Sequence, residues 1–95
     1  MDVQELGLTV GRIVAVADHP GARAPSYLLT VDLGPQGQRE ATMPRAGYEP
    51  SDLEGTQVVC VPGGDELLVV VAHSHAKGAV LVRPDREVED GSIVG

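Results

Sequence analysis

Apolar residues fall in short, valine-rich runs, each closed by a polar stretch rich in glycine and proline. Thr9–Ala17 alternates imperfectly and ends at Asp18-His19-Pro20-Gly21, a turn signal, so it predicts strand one. Ser26–Leu33 predicts strand two, stopped by a hairpin at Gly34-Pro35-Gln36-Gly37. Gln38–Met43 predicts a weaker third strand, ended by Pro44, which has no N–H for a sheet ladder. Pro50 suits a first helical position, the acids after it suit a helix N-terminus, and Gly55 suits a stop just past the end. Pro50–Glu54 therefore predicts one short helical turn. Thr56–Val61 predicts strand four, ended by Pro62-Gly63-Gly64-Asp65. Leu67–Ala72 is a continuous apolar run and predicts the most buried strand. His73–Gly78 predicts a turn, and Ala79–Val82 a final strand pairing back on that run. The tail from Pro84 to Gly95 carries Val88, Ile93 and Val94, placed to pack under the body.

Composition sharpens this picture. Fifteen Val stand against nine Leu and two Ile, with no Phe or Trp and only Tyr27 and Tyr48 as rings. β-branched side chains fit a pleated sheet and lose rotamer freedom in helices, which argues against a helical bundle. Ninety-five residues allow one domain, residues 1–95. The element order predicts an all-β chain, a small barrel of five to six strands with one short helical turn between strands 3 and 4. Closing the sheet removes edges that so short a chain could not otherwise cover. An OB-fold places its helix at that point; an open sandwich is the second choice. No apolar run approaches the ~20 residues that span a bilayer. The N-terminus shows no basic segment followed by an apolar one, so neither a signal peptide nor a membrane partner is expected. Cys60 stands alone, cannot form an internal disulfide, and reads as a small buried hydrophobe of a cytoplasmic protein.

Charge narrows the partners. A net charge of −7 has the wrong sign for attracting nucleic acid. Residues 1–47 hold four Arg against five acids, whereas residues 48–95 hold three basic groups against nine acids. An anion-facing surface would have to come from Arg12, Arg23, Arg39 and Arg45. His73 and His75, two apart, would share one face of a strand, but they sit in a predicted turn without a third ligand, so no metal is expected. His19, before Pro20 in another turn, is discounted likewise. The serines lack an activating pattern, Asp65-Glu66 and Glu89-Asp90 read as solvated loops, and Gly63-Gly64 lacks the lysine of a phosphate loop. The chain reads as non-catalytic and without a cofactor.

Four separated blocks carry a resemblance. Val10-Gly11-Arg12-Ile13-Val14 with His19-Pro20 resembles the opening of the tRNA-binding-domain family, which includes the C-terminal domain of bacterial methionyl-tRNA synthetase and the free-standing CsaA proteins. Ala22-Arg23-Ala24-Pro25-Ser26-Tyr27, running into Leu29-Thr30-Val31-Asp32-Leu33, looks most like the CsaA branch. Tyr48-x-Pro50-x-Asp52-Leu53-x-Gly55-x-Gln57-Val58-Val59 resembles the family's helical turn and fourth strand, and the terminal Pro84-Asp85-Arg86-Glu87-Val88 with Gly91-Ser92 looks like the CsaA terminus. The resemblance implies an OB-fold, a homodimer, no cofactor, no reaction, and either tRNA or a polypeptide client of a chaperone-like module linked to protein export. It places Arg23 and Arg39 at positions basic in the family, and Pro25 and Tyr27 in the strand-entry motif as groove candidates. Both have structural roles open to them, Pro25 as a rigid turn and Tyr27 as a core or dimer-contact ring. The chain also departs from the pattern. Glu40-Ala41-Thr42-Met43-Pro44 replaces a Ser- and Gln-bearing stretch, the loop after strand four is short and acidic, and Lys77 is the only lysine. The expected groove is thus a degraded one.

Overall fold

A computed structural model describes residues 1–21 and 23–95. β1 (Thr9–Asp18) is the longest strand, and it bends to serve two neighbours. Its first half runs antiparallel to β4 (Gln57–Gly63), and from Arg12 onward it runs antiparallel to β2 (Ser26–Asp32). The register shifts between Ile13 and Ala15, a bulge that leaves Val14 outside and turns the strand. Gly11 leaves room for Val31 of β2: a Cβ there would collide with the Val31 side chain.

β3 (Gln38–Pro44) pairs with β2 along its whole length, and β5 (Glu66–Val69) bridges β3 and β4. The order β1-β2-β3-β5-β4 closes into a barrel, with β3 and β5 its parallel pair. The all-β barrel read from the sequence is therefore the fold, in its five-stranded form. α1 (Pro50–Leu53) lies between β3 and β4, as the proline and glycine signals predict. The Asp52 carboxylate accepts from the Glu49 N–H at 2.9 Å, and the helix delivers Leu53 fully buried into the core. Ile13, Leu29, Val31, Met43, Val58, Cys60 and Leu67 fill the rest.

Two expectations are corrected. The run Leu67–Ala72 is not one strand, nor the most buried. It splits at Val70 between β5 and β6 (Val71–Ser74), and β6 pairs outside the barrel with β7 (Gly78–Leu81). Its apolar residues are thereby divided: Leu67 enters the core, Leu68 is half exposed, and Val69 and Val71 pack at the margin. The most buried strand is β4, whose Gln57, Val58, Val59 and Cys60 are all buried. Val58 and Cys60 belong to the core, while the flanking chain covers the other face. Val59 donates to Val82 and accepts from Val70, and the Gln57 amide bonds Val88 and Asp90.

His73 accordingly lies in β6, not in the turn, which begins at His75. The tail also differs from expectation. It adds to β1 by backbone bonds, Val10 N–H to Ser92 at 2.8 Å and Gly91 N–H to Val10 at 2.7 Å, while Ile93 stays half exposed and Val88 is only partly covered. Residues Val3–Leu6 form a 3-10 turn that the sequence reading did not anticipate.

Candidate nucleic-acid interface

In an OB barrel the ligand face is the outer surface of strands 2 and 3, framed by the loops before strand 2 and between strands 4 and 5. Here that face holds a cleft of about 270 Å³. β3 and β5 pair only at Ala41–Leu67 and Thr42–Leu68, and the cleft forms around that short contact. Leu28 and Leu68 give it apolar wall, and His19 reaches it from the first loop with its Nδ1 buried and unpartnered. Glu40 comes from β3, Asp65 from the β4–β5 turn and Glu66 from β5. Three carboxylates therefore line the cleft, with no Lys or Arg among its described lining residues. Such a site repels phosphate and attracts cations. Asp65-Glu66 reads from sequence as a solvated loop, and nothing local joins it to Glu40, because only barrel closure sets β5 beside β3.

The four arginines do not converge. Arg39 and Arg45 stand at opposite ends of β3, some six residues or about 20 Å apart. Arg39 reaches to the Gly64 carbonyl at 2.9 Å, crossing to the β4–β5 turn. Arg12 is consumed by the tail, bonding Glu87 at 2.8 Å, Asp90 at 3.3 Å and the Gly55 carbonyl at 2.8 Å. The Glu87 hydrogen bond, more than Asp90, raises the pKa of this guanidinium.

Arg45 sits differently. Its backbone N–H donates to the Pro25 carbonyl at 3.2 Å, and its guanidinium lies 5.2 Å over the Tyr27 ring while pairing with Asp18 at 2.7 Å. Arg23 is exposed two positions before Pro25. Arg23, Pro25, Tyr27 and Arg45 are thus brought to one end of the barrel, and Arg12 and Arg39 lie away from it. Tyr27 is itself buried, its hydroxyl donating to the Tyr48 carbonyl at 2.7 Å, so it supports Arg45 from beneath rather than offering a free stacking face.

His73 and His75 are both open to solvent. Among the described residues no three His, Cys, Asp or Glu side chains group to hold a metal, and no helix is long and apolar enough to cross a membrane.

No family model matches the chain. Its sequence is 30% identical over 101 residues to a methionine–tRNA ligase of Pyrococcus horikoshii, covering 98% of this chain and 14% of the ligase. A methionine–tRNA ligase of Pyrococcus abyssi is 31% identical over 102 residues with the same coverage. The chain thus spans about 14% of the length of these curated relatives. The crystal structure of the chaperone CsaA from Bacillus anthracis superposes with a TM-score of 0.82 at 28% identity, covering 93% of this chain and 89% of that one. A MetRS-related protein from Pyrococcus horikoshii, at 19% identity, shares the fold with a TM-score of 0.77, covering 100% of this chain and 97% of that one.

Proposed function

The chain belongs to the tRNA-binding-domain family of OB folds, which includes the CsaA proteins, and on that premise we propose that it is a non-catalytic protein that binds tRNA or a related RNA. Residues 1–95 act as one unit, assemble as a homodimer, and contribute a surface rather than a reaction. The observation that supports this reading is the Arg45 guanidinium, propped over Tyr27 beside Pro25 with Arg23 near it. A phosphate displaces Asp18 from Arg45, exchanging one exposed ion pair for another at a cost of about 1 kcal/mol or less. The acidic cleft on the β2–β3 face keeps the RNA off that face, so the number of phosphates engaged is small. The two contacts at this end contribute about −2 to the log-log salt slope. Fluorescence anisotropy with bulk tRNA at low and moderate salt tests this. Binding should weaken at least that steeply with salt and be lost in R23Q/R45Q; low-salt affinity no better than that of an acidic control protein overturns it.

One observation favours a second reading, in which a chaperone-like dimer binds polypeptide. The cleft that repels phosphate sets Glu40, Asp65 and Glu66 beside Leu28 and the half-exposed Leu68, a lining suited to a basic segment with apolar residues. Suppression of aggregation of a thermally unfolding client separates the two readings. No effect at stoichiometric excess removes the polypeptide reading. Sedimentation equilibrium tests the dimer.

A further inference from the structure

After β7 the chain does not return directly to the barrel. Val82 is pinned by its carbonyl to the Val59 N–H at 2.9 Å, and Val88 is pinned at both its N–H and its carbonyl by the Gln57 amide, at 3.1 and 2.6 Å. Between these anchors Arg83–Glu87 arches over Gly55–Gln57, leaving a cleft of about 300 Å³ beneath. Among the described residues the backbone N–H groups of Asp85, Arg86 and Glu87 make no hydrogen bond within the chain. The Arg83 guanidinium has only long contacts, 3.5 Å to the Asp52 carbonyl and 3.4 Å to the Thr56 hydroxyl. Arg86 is almost fully exposed and held loosely by Asp85 at 3.8 Å. Glu87 is already engaged by Arg12. Two underused guanidiniums and three free backbone donors therefore share one rigidly anchored arch.

We propose that the Arg83–Glu87 arch is a phosphate-binding site, with Arg83 and Arg86 as its cationic donors, and that it takes a backbone phosphate of the RNA. This rests on the RNA reading above and extends it to a second pair of arginines. Arg supplies the planar fork that phosphate geometry favours, and the backbone N–H groups left without a partner in the chain are further donors on the same arch. Asp85, 98% exposed, swings into solvent when phosphate replaces it on Arg86.

The test uses the full chain, with inorganic pyrophosphate and bulk tRNA as separate probes followed by NMR and anisotropy. Pyrophosphate should shift the Asp85, Arg86 and Glu87 amides and the Arg83 and Arg86 side-chain Nε–H signals. Each of R83Q and R86Q should weaken tRNA binding roughly tenfold at low salt, and the two together, which remove the arch's single phosphate contact, should reduce the salt slope by about 1. D85N, which removes a competitor without touching a donor, should tighten both probes, and it keeps the test decisive if the arginine variants fold poorly. Pyrophosphate shifts absent from the arch, or tRNA binding indifferent to all three substitutions, overturn the proposal while leaving the RNA reading standing. Arch shifts with pyrophosphate in a protein that does not bind tRNA overturn the RNA reading and leave a site for free phosphate.

Discussion

Cys60 and Arg12 show how differently single residues reveal themselves. A lone cysteine in an apolar run reads as a buried hydrophobe, and burial is its state: the thiol is enclosed, which pushes its pKa from 9.0 up to about 11. Well below pH 9 the thiol is neutral folded or unfolded, so the cysteine sets no pH dependence there. Above it the unfolded chain ionises first, so stability falls between pH 9 and pH 11, by about 2 to 3 kcal/mol in total. Denaturant titrations across that range should show the loss, and Cys60→Val, close in volume, should remove that part of it. Iodoacetamide at pH 8 should leave the folded thiol unmodified. Arg12, by contrast, reads from sequence as a candidate RNA contact, and its partners Glu87 and Asp90 stand 75 and 78 positions away. No local pattern could announce a clasp that exists only once the tail lies on β1. Arg12→Gln should lower hydrogen-exchange protection of the Gly91 and Val94 amides, which hold the tail, while leaving the Leu29 amide in the core unchanged.

Elements were legible where local chemistry sufficed. The proline, acid and glycine signals placed α1, and glycine with proline bounded β2 and β3, because these residues act through their own backbone. The apolar run Leu67–Ala72 misled because hydrophobicity alone does not say which sheet a residue joins. Its break at Val70 is set by Val59 and Val82, which bond that residue from either side. The tail was legible as chain but not as an added strand on β1. The β2–β3 connection shows the same dependence on distant partners. Gly34 has φ +64°, and a Cβ there would strike the Asp90 carbonyl, so this turn is packed directly against the tail. Gly7, in the left-handed region at φ +71° and ψ 20°, has open space around its Cβ position. Gly34→Ala should therefore destabilise the protein by roughly 2 to 4 kcal/mol, and Gly7→Ala by only about 1 kcal/mol, its backbone penalty alone. Equal losses in chemical denaturation would show that the tail does not press on the turn.

Across the whole molecule, charge sorted by sequence half loses its meaning once the barrel closes. The first half is nearly neutral and the second strongly acidic, yet Glu40 from one shares a cleft with Asp65 and Glu66 from the other. Arg12 from the less acidic half is neutralised by acids of the tail. What decides the partner is then the field over each face, and on the β2–β3 face three carboxylates oppose phosphate at close range, where salt screens them least. Replacing them together, Glu40→Lys, Asp65→Lys and Glu66→Lys, moves the net charge from −7 to about −1 and makes this face basic. If RNA is the partner, tRNA affinity at low salt should rise and the salt slope steepen by about 3, one for each phosphate newly engaged. If a basic polypeptide is the partner, the same variant should lose suppression of client aggregation, because the lysines now repel the segment that the cleft attracted. The readouts are independent, and the substitutions lie on exposed outer positions that leave the core intact. A variant that gains RNA affinity with unchanged suppression places the polypeptide elsewhere; one that loses suppression and gains no RNA affinity removes RNA from this face altogether.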